Sequence, residues 1–258
     1  MKKLMTATLV ALTTTLMASS AYAEALRVGI DAGPYPPFAS PDASGKWVGW
    51  EIEFMEAVCA EAKVECVVTP TAWDGIIPAL NEKKLDAIMG SMSITEERMK
   101  EIDFSNKYYN TPAAVAVSKG SGIAATPEGL AGKIIGVQGS TIHAAYATKY
   151  FAPTAAEVKI YQTQDEANQD LAAGRVDAVL ADSLVLSTFV KSDAGTACCE
   201  LAGNVADDPA ILGLGVGIGL RKGDPMKETF NAAIATVRAS GKYDEISKKY
   251  FDFDIYGK

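Results

Sequence analysis

Apolar residues along this chain recur in two rhythms. One is the short run bounded by Gly, Pro, Asn or Asp, which predicts a buried strand. Leu26-Arg27-Val28-Gly29-Ile30-Asp31 is the first such run, and Val64–Pro70, Leu85–Met89, Ala113–Val117, Lys133–Val137, Val158–Tyr161, Val176–Asp182 and Gly213–Leu220 follow. The other is the helical spacing of three and four. Glu51–Lys63 places Ile52, Met55, Val58, Cys59 and Ala62 on one face. Trp73-Asp74-Gly75 opens a second helix, with Asp74 as its cap and Ile76, Ile77 and Leu80 inward. Further helices are predicted over Glu96–Ile102, Ile142–Tyr150, from a Thr163 or Gln164 cap to Ala173, from Asp224-Pro225 with Phe230, Ile234 and Val237 inward, and over Tyr243–Phe251. Strands alternating with helices indicate an α/β fold.

The pattern repeats weakly. Lys83-Lys84-Leu85-Asp86-Ala87-Ile88-Met89-Gly90-Ser91 is echoed by Gly174-Arg175-Val176-Asp177-Ala178-Val179-Leu180-Ala181-Asp182. Each reads as a basic turn, a strand, then a polar residue at the strand's carboxyl end. That suggests two lobes of similar build. Open α/β sheets bind ligands at those ends, so two facing ends would form a cleft.

Composition refines this picture. Lys2 and Lys3, an apolar run over Leu4–Met17 and Ala21-Tyr22-Ala23 have the layout of an export signal, cleaved after Ala23. The whole chain of 258 residues has a net charge of −8. Removing Met1–Ala23 makes it more acidic, because two lysines leave and no acid does. Nucleic-acid binding needs a basic footprint and is disfavoured. In an oxidising compartment Cys59 and Cys66 are expected to form a disulfide. The adjacent Cys198 and Cys199 are either free thiols or a vicinal bridge. One histidine, His143, and no ligand-spaced Cys/His cluster argue against a metal site, and no cofactor is expected. Gly213–Leu220 is glycine-rich, but its period of two is that of a strand and not of a phosphate loop.

The candidate chemistry centres on Gly90-Ser91-Met92-Ser93-Ile94-Thr95-Glu96-Glu97-Arg98. Thr95 can cap the following helix. Arg98 then falls in the first turn, where the helix dipole disfavours a cation. Either a bound anion shares the guanidinium with nearby amides and serines, or Arg98 pairs on the surface with Glu101 or Asp103. A second strand–glycine–hydroxyl–helix turn occurs at Gln138-Gly139-Ser140-Thr141.

In order along the chain, Tyr35-Pro36-Pro37-Phe38, Cys59 and Cys66, Trp73-Asp74-Gly75-Ile76-Ile77-Pro78, Ser91–Arg98, Gln138–Thr141, Asp182, Gly219–Lys222 and Lys248–Phe251 together resemble the periplasmic solute-binding proteins for polar amino acids (family 3). The resemblance lies nearest the lysine/arginine/ornithine-, histidine- and opine-binding groups. It implies a type II two-lobed fold, with a mixed sheet flanked by helices in each lobe and two hinge strands between them. On that pattern residues 24–109 and 213–258 form one lobe, 114–205 the other, and 110–113 and 206–212 are the hinges. The resemblance further implies that Arg98 clamps a ligand α-carboxylate, helped by the Ser93 and Thr141 positions from opposite lobes. Ser91 and Asp182 would hold the α-ammonium. Tyr35 and Trp73 would sandwich the side chain, and Asp31 would neutralise a cationic one. Met92 and Ser140 complete the implied site. Departures from the lysine/arginine/ornithine pattern are one inserted residue between Asp31 and Tyr35, Gly90 for a serine, Ile142 for a glutamine, and Trp73 for a smaller aromatic. They leave the α-amino-acid clamp intact and widen the distal pocket.

The function so implied is the periplasmic binding component of an importer. Its partners would be an amino acid or arginine-derived opine, a membrane ABC permease and its ATPase, with the protein itself monomeric. A dehydratase of the cyclohexadienyl type on the same scaffold is the competing enzyme reading, with Asp182 as its acid. A periplasmic ligand sensor acting through a separate receptor is the third.

Overall fold

The alternating strands and helices assemble into two separate five-stranded sheets, each covered on both faces. The structure is a computed structural model and describes residues 25–257; the expected leader over Met1–Ala23 lies outside the described residues. The chain begins in the first lobe with β1 (Leu26–Asp31), the small hairpin β2 (Ser40–Pro41) and β3 (Trp47–Val48), α1 (Trp50–Ala62) and β4 (Cys66–Thr71). A 3-10 turn, Trp73–Gly75, then leads into α2 (Ile76–Asn81), β5 (Ala87–Ile88), α3 (Glu96–Glu101) and β6 (Asp103–Phe104). It crosses to the second lobe for β7 (Ala113–Ser118), β8 (Ile134–Gln138), α4 (Ile142–Tyr146), β9 (Glu157–Tyr161), α5 (Gln164–Ala172) and β10 (Ala178–Asp182). There it continues through α6 (Ser183–Lys191), α7 (Asp193–Thr196) and β11 (Cys199–Asn204), and the returning crossing carries a short helix, α8 (Pro209–Leu212), where a hinge strand was expected. It returns with β12 (Gly219–Leu220), α9 (Met226–Ala239) and α10 (Lys242–Ser247).

The first sheet runs β4-β1-β5-β12-β6, with β1 parallel to β4 and β5 and with β12 antiparallel to both its neighbours. The second runs β11-β7-β10-β8-β9, with β8, β9 and β10 parallel and β7 antiparallel to β10 and β11. This topology positions the site. Asp31 ends β1 and Gly90-Ser91 follows β5, while Gln138 ends β8 and Asp182 ends β10. All four lie at carboxyl ends of parallel strands, one pair in each lobe.

One face of the first sheet is an aromatic core. Trp50 and Phe54 stack with centroids 5.3 Å apart, Phe38 stacks on Tyr109 at 4.8 Å, and the indole N–H of Trp50 donates to Ser247 Oγ at 3.0 Å. Rings of this size each bury 150–250 Å² or so, which anchors the loop of Phe38 and leaves Tyr35 at its edge. The other face holds Ile76, Leu80, Leu85, Ile88 and Ile102. Cys59 and Cys66 form the expected bridge, tying the end of α1 to the start of β4. Cys198 and Cys199 are joined to each other.

Four local expectations change. Asp74 does not cap α2: the 3-10 turn intervenes and the N-cap is Gly75, without a side-chain bond. Only Gly219–Leu220 of the Gly213–Leu220 run joins the sheet. Gly213 and Gly215 have φ of 84° and 103°, which breaks the pleat, and a Cβ on Gly213 would stand 2.5 Å from the Ile94 carbonyl oxygen. The helix beginning at Ile142 passes into a π turn over Ala147–Phe151. The last helix stops at Ser247, because Tyr250 turns to donate to Glu53 (2.7 Å) and Phe251 packs towards Trp50.

Candidate functional site

Between the lobes lies a cavity of about 370 Å³, walled by the strand ends and the two crossing segments. Its single arginine is Arg98. Thr95 caps α3 by accepting from the Arg98 amide at 3.2 Å, so the side chain leaves from the first helical turn towards the cleft. One guanidinium nitrogen donates to the Ser93 carbonyl (3.0 Å) and the other to the Ser140 carbonyl of the opposite lobe (3.3 Å). The group lies 5.5 Å from the Trp73 ring centroid. Asp103, a possible surface partner, is instead taken by Lys222 at 3.0 Å. Burial alone pushes the Arg98 pKa down to about 10, with no carboxylate opposing it. A half-buried cation with no carboxylate beside it among the described residues is costly until an anion arrives. Ser93 lines the cavity beside it, and its hydroxyl makes no hydrogen bond to another described residue.

Across the cavity stands Asp182, 8 % exposed. One carboxylate oxygen accepts from the Leu184 amide at 2.8 Å, the other from the Thr111 hydroxyl. Burial outweighs these bonds and pushes its pKa up to about 6. No cation shares it among the described residues, so it is the natural seat for an ammonium.

Next to it is an acid that the sequence reading missed. Glu51, in the first turn of α1, is 1 % exposed and lines the cavity floor. It accepts from the Ser91 amide (2.8 Å), the Ser91 hydroxyl (3.0 Å) and the Tyr108 hydroxyl, yet burial still raises its pKa. Ser91 sits in the left-handed region, φ 56°, which is unfavourable for a serine; two bonds to one carboxylate hold it there. Its hydroxyl hydrogen is committed to Glu51, so only its lone pairs remain for the cavity. Ser91 is therefore an acceptor for N–H donors. The signal for Glu51 was its spacing: it shares a helical face with Met55 and Val58.

The third wall carries Asp31, Tyr35 and Trp73. Asp31 accepts from the Gly33 amide at 3.0 Å and from Gln138 Nε2 of the other lobe at 2.6 Å, and burial raises its pKa. The hydroxyl of Tyr35 lies against the Asp182 amide. The Trp73 indole donates to the Ser140 carbonyl at 3.1 Å, another contact between the lobes.

The remaining site candidates are less direct. Thr141 lines the cavity and caps α4, but its hydroxyl donates to the Gln138 carbonyl (2.7 Å) and accepts from the Ala144 amide (3.0 Å). Only its main-chain N–H is left for an anion. Ser140 shares the left-handed φ of 56° and contributes its carbonyl to Trp73 and Arg98. Met92 is fully buried in the core beneath the cavity, packed with Ile88 and Trp73, and does not line it. Gln138, Ile142 and His143 line the cavity without having been selected as ligand contacts. His143 is held neutral: burial, then the nearby Arg98 charge, pushes its pKa down to about 3.

The cavity thus sets two buried acids, Glu51 and Asp182, and the half-buried Asp31 against one arginine, and it separates the signs in space. That complements a molecule with one anionic end and two cationic groups.

Comparison with known proteins identifies the family. The profile of the bacterial extracellular solute-binding proteins, family 3, matches residues 26–253. The L-arginine-binding protein of Pseudomonas aeruginosa is 43 % identical over 259 residues, covering 100 % of this chain and 99 % of that protein. The lysine/arginine/ornithine-binding periplasmic protein of Escherichia coli is 41 % identical over 252 residues, 96 % of each chain. Among solved structures, an ancestral arginine-binding protein bound to arginine superposes with a TM-score of 0.81 at 35 % identity, covering 88 % of this chain and 98 % of that one. The chain belongs to the bacterial extracellular solute-binding proteins, family 3.

Proposed function

We propose that this protein captures a cationic amino acid in the periplasm and delivers it to an ABC importer. The observation that carries the reading is a pair of oppositely charged groups on one cavity, the half-buried Arg98 and the buried Asp182, neither of which has an ionic partner among the described residues. In this reading Arg98 clamps the α-carboxylate bidentately, with the Ser93 hydroxyl and the Thr141 amide as further donors. Asp182 and the acceptor face of Ser91 hold the α-ammonium. Asp31 neutralises the side-chain charge between Tyr35 and Trp73, where a flat guanidinium gains about 0.5–2 kcal/mol from the rings. The segments 110–113 and 206–212 act as hinges. Ligand favours the closed state by its differential affinity for it, and the permease with its ATPase reads that state. The chain is exported, its leader is cleaved after Ala23, and the protein works as a monomer without enzymatic turnover.

One observation favours a second reading. An acid near pH 6 is suited to proton donation, as in a dehydratase on this scaffold. Titration calorimetry of ligand-stripped protein with arginine, lysine, ornithine, histidine, glutamine, octopine and nopaline tests the first reading, and a turnover assay with prephenate and arogenate tests the second. Saturable binding of a cationic member without turnover is expected. Binding confined to neutral or acidic ligands would overturn the assignment of Asp31.

A further inference from the structure

We propose that Gln138 is a positioning and specificity-determining residue that makes recognition of a cationic side chain and closure of the lobes a single event; this rests on the reading of the cleft just given. Gln138 ends β8 in the second lobe, and Asp31 ends β1 in the first. The two are 107 residues apart, yet Gln138 Nε2 donates to Asp31 Oδ2 at 2.6 Å and to the Gln162 carbonyl at 3.1 Å. A carboxylate and a carbonyl can only accept. The amide nitrogen must face them, which fixes the orientation of the group.

The amide oxygen is then the free end. It receives no hydrogen bond from a described residue, and among the described residues no buried side-chain polar atom lacks a partner. The oxygen is therefore not sealed in. The residue as a whole is 3 % exposed and lines the cavity, so its open atom is reached from the cavity. Two acceptors, the Asp31 carboxylate and Gln138 Oε1, stand together at the side-chain end. A guanidinium brings a charge and five N–H donors in one plane and can satisfy both. An ammonium brings three donors, and a neutral amide brings two donors without charge.

The same pair couples to closure. The Asp31–Gln138 bond joins strands of two different sheets, so it depends on the lobes being together. Closing on an empty cavity buries the Asp31 carboxylate with neutral donors only, and its pKa rises accordingly. A cationic side chain removes that penalty while Gln138 holds the carboxylate in place. Gln138 thereby turns side-chain charge into closure.

The test is a double-mutant cycle read by titration calorimetry on the full mature protein. Gln138→Met keeps the length and removes both the donor and the acceptor. It is expected to lower arginine affinity by about tenfold and glutamine affinity by less than about threefold, narrowing the ratio between them. In an Asp31→Asn background the same change is expected to alter arginine affinity by less than about threefold, because interacting sites are not additive. Gln138→Asn, one methylene too short to bridge, should reproduce the Met result if that variant folds poorly. Equal losses for arginine and glutamine, or full additivity in the double variant, would overturn the proposal while leaving the cationic reading intact. A wild-type protein that binds no cationic amino acid would overturn both.

Discussion

The two cavity turns use the same backbone and reach opposite chemistry. Ser91 follows β5 and Ser140 follows β8; both have φ 56°, and both precede a helix carrying a threonine cap, Thr95 or Thr141. In the first lobe the serine side chain is turned inward and held by Glu51, leaving an acceptor to the cavity. In the second lobe the serine carbonyl does the work, receiving Trp73 and Arg98 from across the cleft. The first lobe contributes Asp31, Glu51 and Arg98 to the cavity, and the second contributes Asp182, main-chain groups and Gln138; in the proposed reading the first carries most of the charge selection and the second seals the ligand in. Similar local geometry therefore says little about role; what differs is the side chain packed behind each turn.

The largest effect should come from the first lobe's cation. Arg98→Ala leaves the α-carboxylate buried without a partner, a loss of about 3–5 kcal/mol. Arginine affinity should fall by about two hundredfold to five thousandfold in calorimetry, with the circular dichroism spectrum unchanged. Retained affinity would show that the anion sits elsewhere.

The second lobe's acid makes a pH test. Asp182 must be ionised to hold an ammonium, burial in the empty cavity with the lobes together pushes its pKa up to about 6, and the bound ammonium lowers it. Affinity should be level above about pH 7 and then fall by up to tenfold per pH unit below 6, with proton release on binding in that range. Affinity that stays flat from pH 7.5 to 5 would remove Asp182 from the ammonium site.

A matched pair probes the turns themselves. Ser91→Ala and Ser140→Ala impose the same left-handed strain and each delete one hydroxyl. Ser91→Ala should weaken binding about tenfold, the value of one hydrogen bond. Ser140→Ala should change it less than about threefold, since its carbonyl remains. Equal losses would erase the distinction between the turns. The smallest effect on affinity is expected from Cys59→Ser with Cys66→Ser. It removes a bridge outside the cavity lining and should lower stability by about 2–3 kcal/mol, read as a drop in melting temperature, while arginine affinity is unchanged.

Much of this was legible from the residues. The short apolar runs and helical spacings placed most elements within a few residues, because strand and helix patterns depend on neighbours up to four positions away. Thr95 and Thr163 were recognisable as caps for the same reason. The acids and hydroxyls at strand ends marked a cleft. Other features were hidden. Met92, between two cavity serines, turns into the core. Gly213–Leu220 alternates like a strand, but two of its glycines take positive φ, a choice that alternation does not encode.

By itself the sequence determined the α/β alternation, the two-lobe repeat, the capped helix that carries Arg98, and the resemblance that named the family. Only the tertiary structure decided that Glu51 grips Ser91, that Thr141 keeps just its amide for an anion, that Cys198 bonds Cys199, and that Gln138 reaches Asp31 across the cleft. Caps and periodicities are satisfied within one turn of chain. The Glu51–Ser91 and Asp31–Gln138 contacts join groups that only chain folding brings together, whereas the Thr141 bond and the Cys198–Cys199 bridge are local, and the residues alone left each open to an alternative.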